Sequence, residues 1–212
     1  MITDYKDTYR NGTCVIVGNG PSLNTVPLDF LYQYPTYGQN KIYMLEGFTP
    51  TFYVCTDPSG VIDRDTVNEM QTIRFTRRGT GFKYTNEFVT TNRRYFSTRP
   101  DIEVYEGYCV TFISLQLAYY MGFSTVLLVG VDARYVEGEE NHFAEGYGDP
   151  IQWDDASMDK GRIAIDQSMA FARNAFEKDG RKIINLTEGT ALKVFELGTI
   201  SDWMPEMTGE GV

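Results

Sequence analysis

The order of elements in this chain predicts an α/β fold, a mostly parallel sheet with helices on both faces. Three observations carry that expectation. Short, continuous apolar runs of strand length recur along the chain and end in glycine or aspartate. Two longer stretches with helical character lie between those runs. The resulting strand–helix–strand spacing is that of βαβ units, whose strands are covered on both faces and so read as unbroken apolar runs.

Residues 13–18 (T-C-V-I-V-G) form the first such run, a strand buried on both faces and stopped by glycine. Residues 41–45 and 51–55 are two more candidate strands, the second ended by Thr56-Asp57-Pro58. Residues 72–103 are different. They are rich in Arg, Thr, Tyr and Phe without a helical period, and predict an antiparallel excursion or a small irregular insertion, a subdomain or lid. Residues 110–121 mix apolar and small side chains and predict a helix that Gly122 ends. Residues 125–130 (T-V-L-L-V-G) are the most hydrophobic strand, followed at once by Val131-Asp132. Residues 158–178 place Ile163, Ile165, Met169, Ala172 and Phe176 near helical spacing, and residues 182–186 (K-I-I-N-L) supply a last core strand.

The 212 residues suit a single domain over 1–212, and 42% hydrophobic with 23% charged residues is an ordinary globular composition. Nineteen Lys and Arg against 29 Asp and Glu leave 19 − 29 = −10. That balance argues against a broad duplex nucleic-acid surface, which needs clustered cations to displace counterions. It leaves open a local basic cluster for a small phosphate compound. Cys14, Cys55 and Cys109 are an odd count with no C-x-x-C pair, which reads as reduced thiols. The first residues lack the apolar core of a secretion signal, and no run reaches the ~18 apolar residues of a membrane span. The expectation is a cytoplasmic protein; a homo-oligomer stays open.

Four features bear on chemistry. The first is Val17-Gly18-Asn19-Gly20-Pro21-Ser22-Leu23 at the end of the first strand. Glycines there would bare backbone N–H groups for a phosphate or ribose oxygen, although a tight turn needs glycines too. The third glycine of a dinucleotide fingerprint and the Lys-Ser/Thr of a P-loop are absent. The second is the pair Asp57 and Asp132, each just past a strand's carboxyl end, where ligands bind in open α/β sheets. They suit hydroxyls or Mg²⁺; turn and loop duty explains them as well. The third is His142, the lone histidine, beside Glu139 and Glu140, whose charges would raise its pKa. It suits proton transfer, while a solvated surface histidine is the plainer alternative. The fourth is a basic cluster, Arg74, Arg77, Arg78, Lys83, Arg93, Arg94 and Arg99, interleaved with Phe and Tyr. It would attract a phosphorylated or carboxylated substrate, or else form a solvated sheet face.

Taken together, these motifs resemble a Rossmann-like superfamily. The residues that carry the likeness run in order: Val15-Ile16-Val17-Gly18-Asn19-Gly20-Pro21-Ser22-Leu23, Asn40-Lys41-Ile42-Tyr43, Pro50-Thr51-Phe52-Tyr53-Val54, Asp57-Pro58, Leu128-Val129-Gly130-Val131-Asp132 and Asn141-His142-Phe143. Two branches are similar: the archaeal 6-hydroxymethylpterin diphosphokinase-like (MptE-like) family and bacterial sialyltransferases that use CMP-sialic acid. The resemblance implies that Gly18, Asn19, Gly20 and Ser22 contact a nucleotide, with Asn40, Asp57 and Gly130 beside it and Asp132 lining the same pocket. It implies a histidine acting as general base, for which His142 is the candidate. Cys109-Val110-Thr111 stands where the sialyltransferases open their central helix with Ser/Thr-Gly.

The function expected first is a glycosyltransferase that moves a sugar from a nucleotide-sugar donor to a small-molecule or glycan acceptor hydroxyl. His142 and Asp132 would be catalytic, Arg77, Arg78, Arg93 and Arg94 would offset phosphate charge, and no cofactor or resident metal is required. The alternatives are a Mg²⁺-dependent diphosphokinase acting on a hydroxymethylpterin-like substrate, and a nucleotide-binding module without catalysis.

Overall fold

The structure is a computed structural model that describes residues 1–56, 60–136, 139–148 and 155–204, with only the backbone given for 155–159. An eight-stranded sheet runs through it. The strands are β1 (Thr13–Val17), β2 (Thr36–Gln39), β3 (Phe52–Cys55), β4 (Ile73–Arg77), β5 (Thr85–Phe88), β8 (Thr125–Val129), β9 (Lys182–Asn185) and β10 (Glu196–Leu197). Their spatial order is β10-β9-β8-β1-β2-β3-β4-β5, and every pairing in it is parallel. A short parallel pair, β6 (Thr90–Thr91) with β7 (Val104–Tyr105), stands apart. Among the described residues no helix is long and apolar enough to cross a membrane.

Side chains alternate across the sheet, so one strand feeds two cores. Cys14, Ile16, Tyr37, Phe52, Val54, Phe75, Val126 and Leu128 pack on one face with α3 (Val110–Met121) and α4 (Asp155–Lys178). Val15, Val17, Tyr53, Cys55, Leu127 and Val129 point the other way. There they meet the short α1 (Leu28–Leu31) and α2 (Arg64–Glu69) and the turns around them. Helices therefore cover both faces, as expected of strands without a polar side. Most of α3 is buried, including Ser114 and Gln116. A buried amide needs partners, and Gln116 finds them in the segment outside the helix: Ser97 N (3.0 Å) and Tyr105 N (3.2 Å) donate to its Oε1, and its Nε2 donates to Tyr105 O (2.8 Å).

Two expectations are corrected. Residues 41–45 are not a strand; Ile42–Met44 form a 3-10 turn and the strand lies at Thr36–Gln39. That strand, T-Y-G-Q, lacks an apolar run, yet it is buried because its polar groups are met. Gln39 Oε1 accepts from Thr111 Oγ1 at 3.1 Å. Residues 72–103 hold no antiparallel excursion: β4 and β5 extend the main sheet in parallel. The link between them is short enough to suggest a hairpin, since parallel neighbours commonly need a dozen or more connecting residues. The chain turns back through Gly79 and Gly81, both at positive φ.

Candidate functional site

The strand order reverses at β1: the chain runs outward from β1 to β5, then returns to pair β8 on the other side of β1. At such a switch point the loops after two neighbouring strands diverge and leave a crevice at their carboxyl ends. A cavity of about 400 Å³ lies there. Gly18, Asn19 and Gly20 line it from β1, Gly130 to Tyr135 from β8, and Cys109 to Thr111 from the N-terminus of α3. Gln39, Asn40 and Thr56 come from the ends of β2 and β3, and Asn141, His142 and Tyr147 from the segment before α4.

The Gly18–Ser22 loop is packed against the loop after β8. Gly18 N donates to Val129 O and Gly20 N to Gly130 O, each at 2.8 Å. A Cβ on Gly18 would stand 2.3 Å from Gly130 O, and one on Gly20 would stand 1.8 Å from Asp132 Oδ2. The glycines are therefore required by close backbone approach inside the protein, and their N–H groups are spent there. The Asn19 N–H donates to no described residue. Ser22 donates from its N–H (3.3 Å) and its hydroxyl (2.7 Å) to the Asp132 carboxylate, which clamps the loop. Asp132 thus has a positioning contact. Asn19 Nδ2 donates to Gln39 O (3.1 Å), which fixes the amide so that Oδ1 is a buried acceptor with no donor among the described residues.

Helix α3 brings its N-terminus to the cavity with no side-chain cap and no acidic residue in its first turn. The orphan N–H groups and helix dipole of such an end favour an anion. Cys109 sits at that end, but burial pushes its thiol up to about 11, so it is not a thiolate. No disulfide joins any of Cys14, Cys55 and Cys109.

His142 stacks on Tyr147, ring centres 4.0 Å apart and 7° from parallel, with Tyr135 edge-on at 6.3 Å. Lys41 holds Tyr147 from behind, its Nζ donating to Tyr147 O at 2.5 Å. The segment is seated by Phe143 N donating to Asn19 O (3.0 Å) and Asn24 Nδ2 donating to Phe143 O (2.9 Å). The expectation that acidic neighbours raise the His142 pKa is corrected. Burial lowers it first, outweighing the upward pull of Glu140 that comes next, and the Lys41 charge adds a smaller downward push. The imidazole is thereby biased toward its neutral, proton-accepting form.

The four arginines expected at the substrate do not line the cavity. Arg78 pairs with Glu87 (3.8 Å) and Arg93 with Glu103. Arg77 and Arg94 come nearer through others: Arg77 Nη1 lies 3.5 Å from Glu106 Oε1, and Arg94 donates to the Tyr108 hydroxyl at 3.2 Å. Arg74 is buried and donates to three backbone carbonyls at the end of α2. The reason is topological: β4 carries Arg77, with Arg78 just after it, near the outer edge of the sheet, and Arg93 and Arg94 follow β6 in the separate short pair. Among the described residues Arg134 is the guanidinium that lines the cavity. Asp57 lies outside the described residues. Asn40 is at the cavity in a left-handed conformation (φ 47°), its carbonyl accepting from Tyr53 OH at 2.7 Å.

Sequence reasoning missed Gln39, Glu106, Tyr108, Tyr135 and Tyr147. None sits in the Gly18–Ser22 glycine motif, and none carries a sequence signal of its own. Among the described residues no group of three or more His, Cys, Asp or Glu could hold a metal ion. The Asp132 oxygens each accept one hydrogen bond from Ser22 and keep further lone pairs.

Known proteins add one match. Residues 1–138 match the model of the family described as 6-hydroxymethylpterin diphosphokinase MptE-like, a stretch that contains β1 to β8, the glycine loop and Asp132. No curated protein and no solved structure matches the chain, and the sialyltransferase branch of the resemblance finds no support. With residues 1–138 of 212 covered, a stretch that includes the β1 and β8 loops of the switch-point cavity but not its His142 side, the chain belongs to the 6-hydroxymethylpterin diphosphokinase MptE-like family.

Proposed function

We propose that this protein transfers diphosphate from ATP, taken as its Mg²⁺ complex, to the hydroxymethyl group of a flat, pterin-like heterocycle. The observation that carries this reading is the uncapped N-terminus of α3 opening into the cavity at the β1–β8 switch point. The family description supports it. The charge of the lining supports the metal complex over the bare nucleotide. Among the described lining residues Arg134 is the one guanidinium, Asp132 adds negative charge and Glu106 already has Arg77 at 3.5 Å, so an unscreened polyphosphate would meet little positive charge. Magnesium bound to the phosphates supplies the missing positive charge.

In this reading the α3 N-terminus and the Asn19 N–H hold phosphate oxygens, and Asp132 keeps the loop that presents Asn19 in place. His142, neutral, accepts the proton of the substrate hydroxyl as its oxygen attacks the β-phosphorus. The new O–P bond forms as the bond to the α-phosphate bridging oxygen breaks, and AMP leaves. Arg134 offsets the charge that develops on it.

The test is product analysis. ATP, Mg²⁺ and 6-hydroxymethylpterin should yield AMP and a diphosphorylated alcohol, and His142→Ala should lower turnover by 10²-fold or more. ADP as the product, or no ATP-dependent thermal stabilisation with Mg²⁺, overturns it. A second reading, sugar transfer from a nucleotide-sugar, would use the same neutral His142 as base on an acceptor hydroxyl. Stabilisation by CMP that is indifferent to chelator would select it.

A further inference from the structure

Asn19 and Glu106 line this cavity, and one side-chain oxygen of each, Asn19 Oδ1 and Glu106 Oε1, is buried and receives no hydrogen bond from the described protein. Both are acceptors. An acceptor left unmet inside a protein is destabilising, so oxygens kept that way beside a cavity suit donors that arrive with a ligand. Asn19 belongs to the nucleotide loop, whereas Glu106 stands in the turn before α3.

That turn is built to hold Glu106 in place. Gln116, inside α3, pins the backbone of the preceding Tyr105 through its N–H and its carbonyl. Cys109 N donates to Glu106 O at 3.2 Å and closes the turn. Between them Gly107 (φ 61°) and Tyr108 (φ 67°) are both left-handed, a conformation a tyrosine adopts at a cost. A Cβ on residue 107 would strike the Phe112 ring at 2.3 Å. Arg77 stands 3.5 Å from the same carboxylate, within ion-pair range but without a hydrogen bond, so the charge is supported while its acceptor capacity remains.

We propose that Glu106 recognises the ring of the ligand, accepting two adjacent N–H groups such as the amino–imino edge of a 2-amino-4-oxopyrimidine ring. A carboxylate accepts two parallel N–H bonds in one plane, and that edge offers both donors side by side. Tyr108 and Tyr135 line the same cavity and supply aromatic surface for a flat ring. The assignment rests on the diphosphoryl-transfer reading for placing this ring on the acceptor alcohol. Guanine presents the same edge, so the base of a guanine nucleotide is the other source of the same chemistry.

Direct binding without catalysis tests it. Equilibrium titrations of the full chain with 6-hydroxymethylpterin, its 2-desamino analogue, GTP and ATP are compared for wild type and Glu106→Gln. The expected result is that wild type prefers the pterin to the desamino analogue by tenfold or more. Glu106→Gln should weaken pterin binding about 10- to 100-fold while ATP binding is unchanged. If GTP and not the pterin shows that dependence, the edge is read from a nucleotide base, and the inference stands with that source. Equal binding of pterin and desamino analogue by wild type, or no binding of either pterin or GTP, overturns it without recourse to any variant, so a misfolded Glu106→Gln cannot shield it. Pterin binding that depends on Glu106 with no AMP formed would remove diphosphoryl transfer and leave this recognition in place.

Discussion

Two turns line one cavity and do opposite things with their polar groups. The Gly18–Ser22 loop directs most of its donors inward: Gly18 and Gly20 bond the loop after β8, and Ser22 bonds Asp132 twice. The Glu106–Cys109 turn closes on itself but leaves a carboxylate oxygen without a donor. The first is a glycine motif visible in sequence, and it turns out to be mainly packing. The second has no motif and holds an unmet acceptor. A conspicuous loop can be scaffold for the less conspicuous residues that face the ligand.

The largest expected effect comes from the support of the second turn. Gln116→Leu would strand the Ser97 and Tyr105 N–H groups in the core, at about 1–3 kcal/mol each. A fall in Tm of about 5–15 °C in a thermal scan, together with weaker pterin binding, is expected. An unchanged Tm would show that the turn does not depend on α3. Gly18→Ala drives a Cβ into backbone, which cannot rotate away, and should cost about 1–3 kcal/mol by chemical denaturation.

Gly20→Ala meets only the end of the Asp132 side chain, so its cost should shrink when Asp132 is also alanine. A double-mutant cycle giving a coupling of about 1 kcal/mol or more checks this; additivity would mean the two loops are independent.

His142 sharpens the comparison by pH. As the lone histidine it gives a single imidazole resonance to follow by NMR, and its pKa should lie below 6.5. Lys41→Met should raise it and Glu140→Gln should lower it further. With the folded pKa depressed, the unfolded chain binds the proton more readily. The contribution to stability is therefore full above the unfolded pKa and is lost as pH falls from there through the folded value. The smallest effect is expected for Arg93→Ala, an exposed ion pair with Glu103, within about 0.5 kcal/mol and with nucleotide binding unchanged.

Much of the fold was legible. β1, β3, β8 and β9 are apolar runs because both of their faces are buried, and α3 was placed to the residue because Gly122 ends it in a left-handed cap. β2 was not legible, because Thr36 and Gln39 are buried by hydrogen bonding instead of by apolarity. The parallel β4–β5 link escaped notice because its length suggests a hairpin. Of the candidate site, Gly18, Asn19, Gly20, Asn40, Gly130, Asp132 and His142 do gather at one cavity, and the arginines do not.

By itself the sequence determined β1, β3, β8 and β9, the two long helices and the loops after β1 and β8. Those follow from apolar periodicity and from glycine, which act between near neighbours in the chain. Only the tertiary structure decided which polar groups remain available at the cavity. That depends on distant partners, such as Asp132 on Ser22, Lys41 on Tyr147 and Arg77 beside Glu106, whose meeting is set by the order of strands in the sheet.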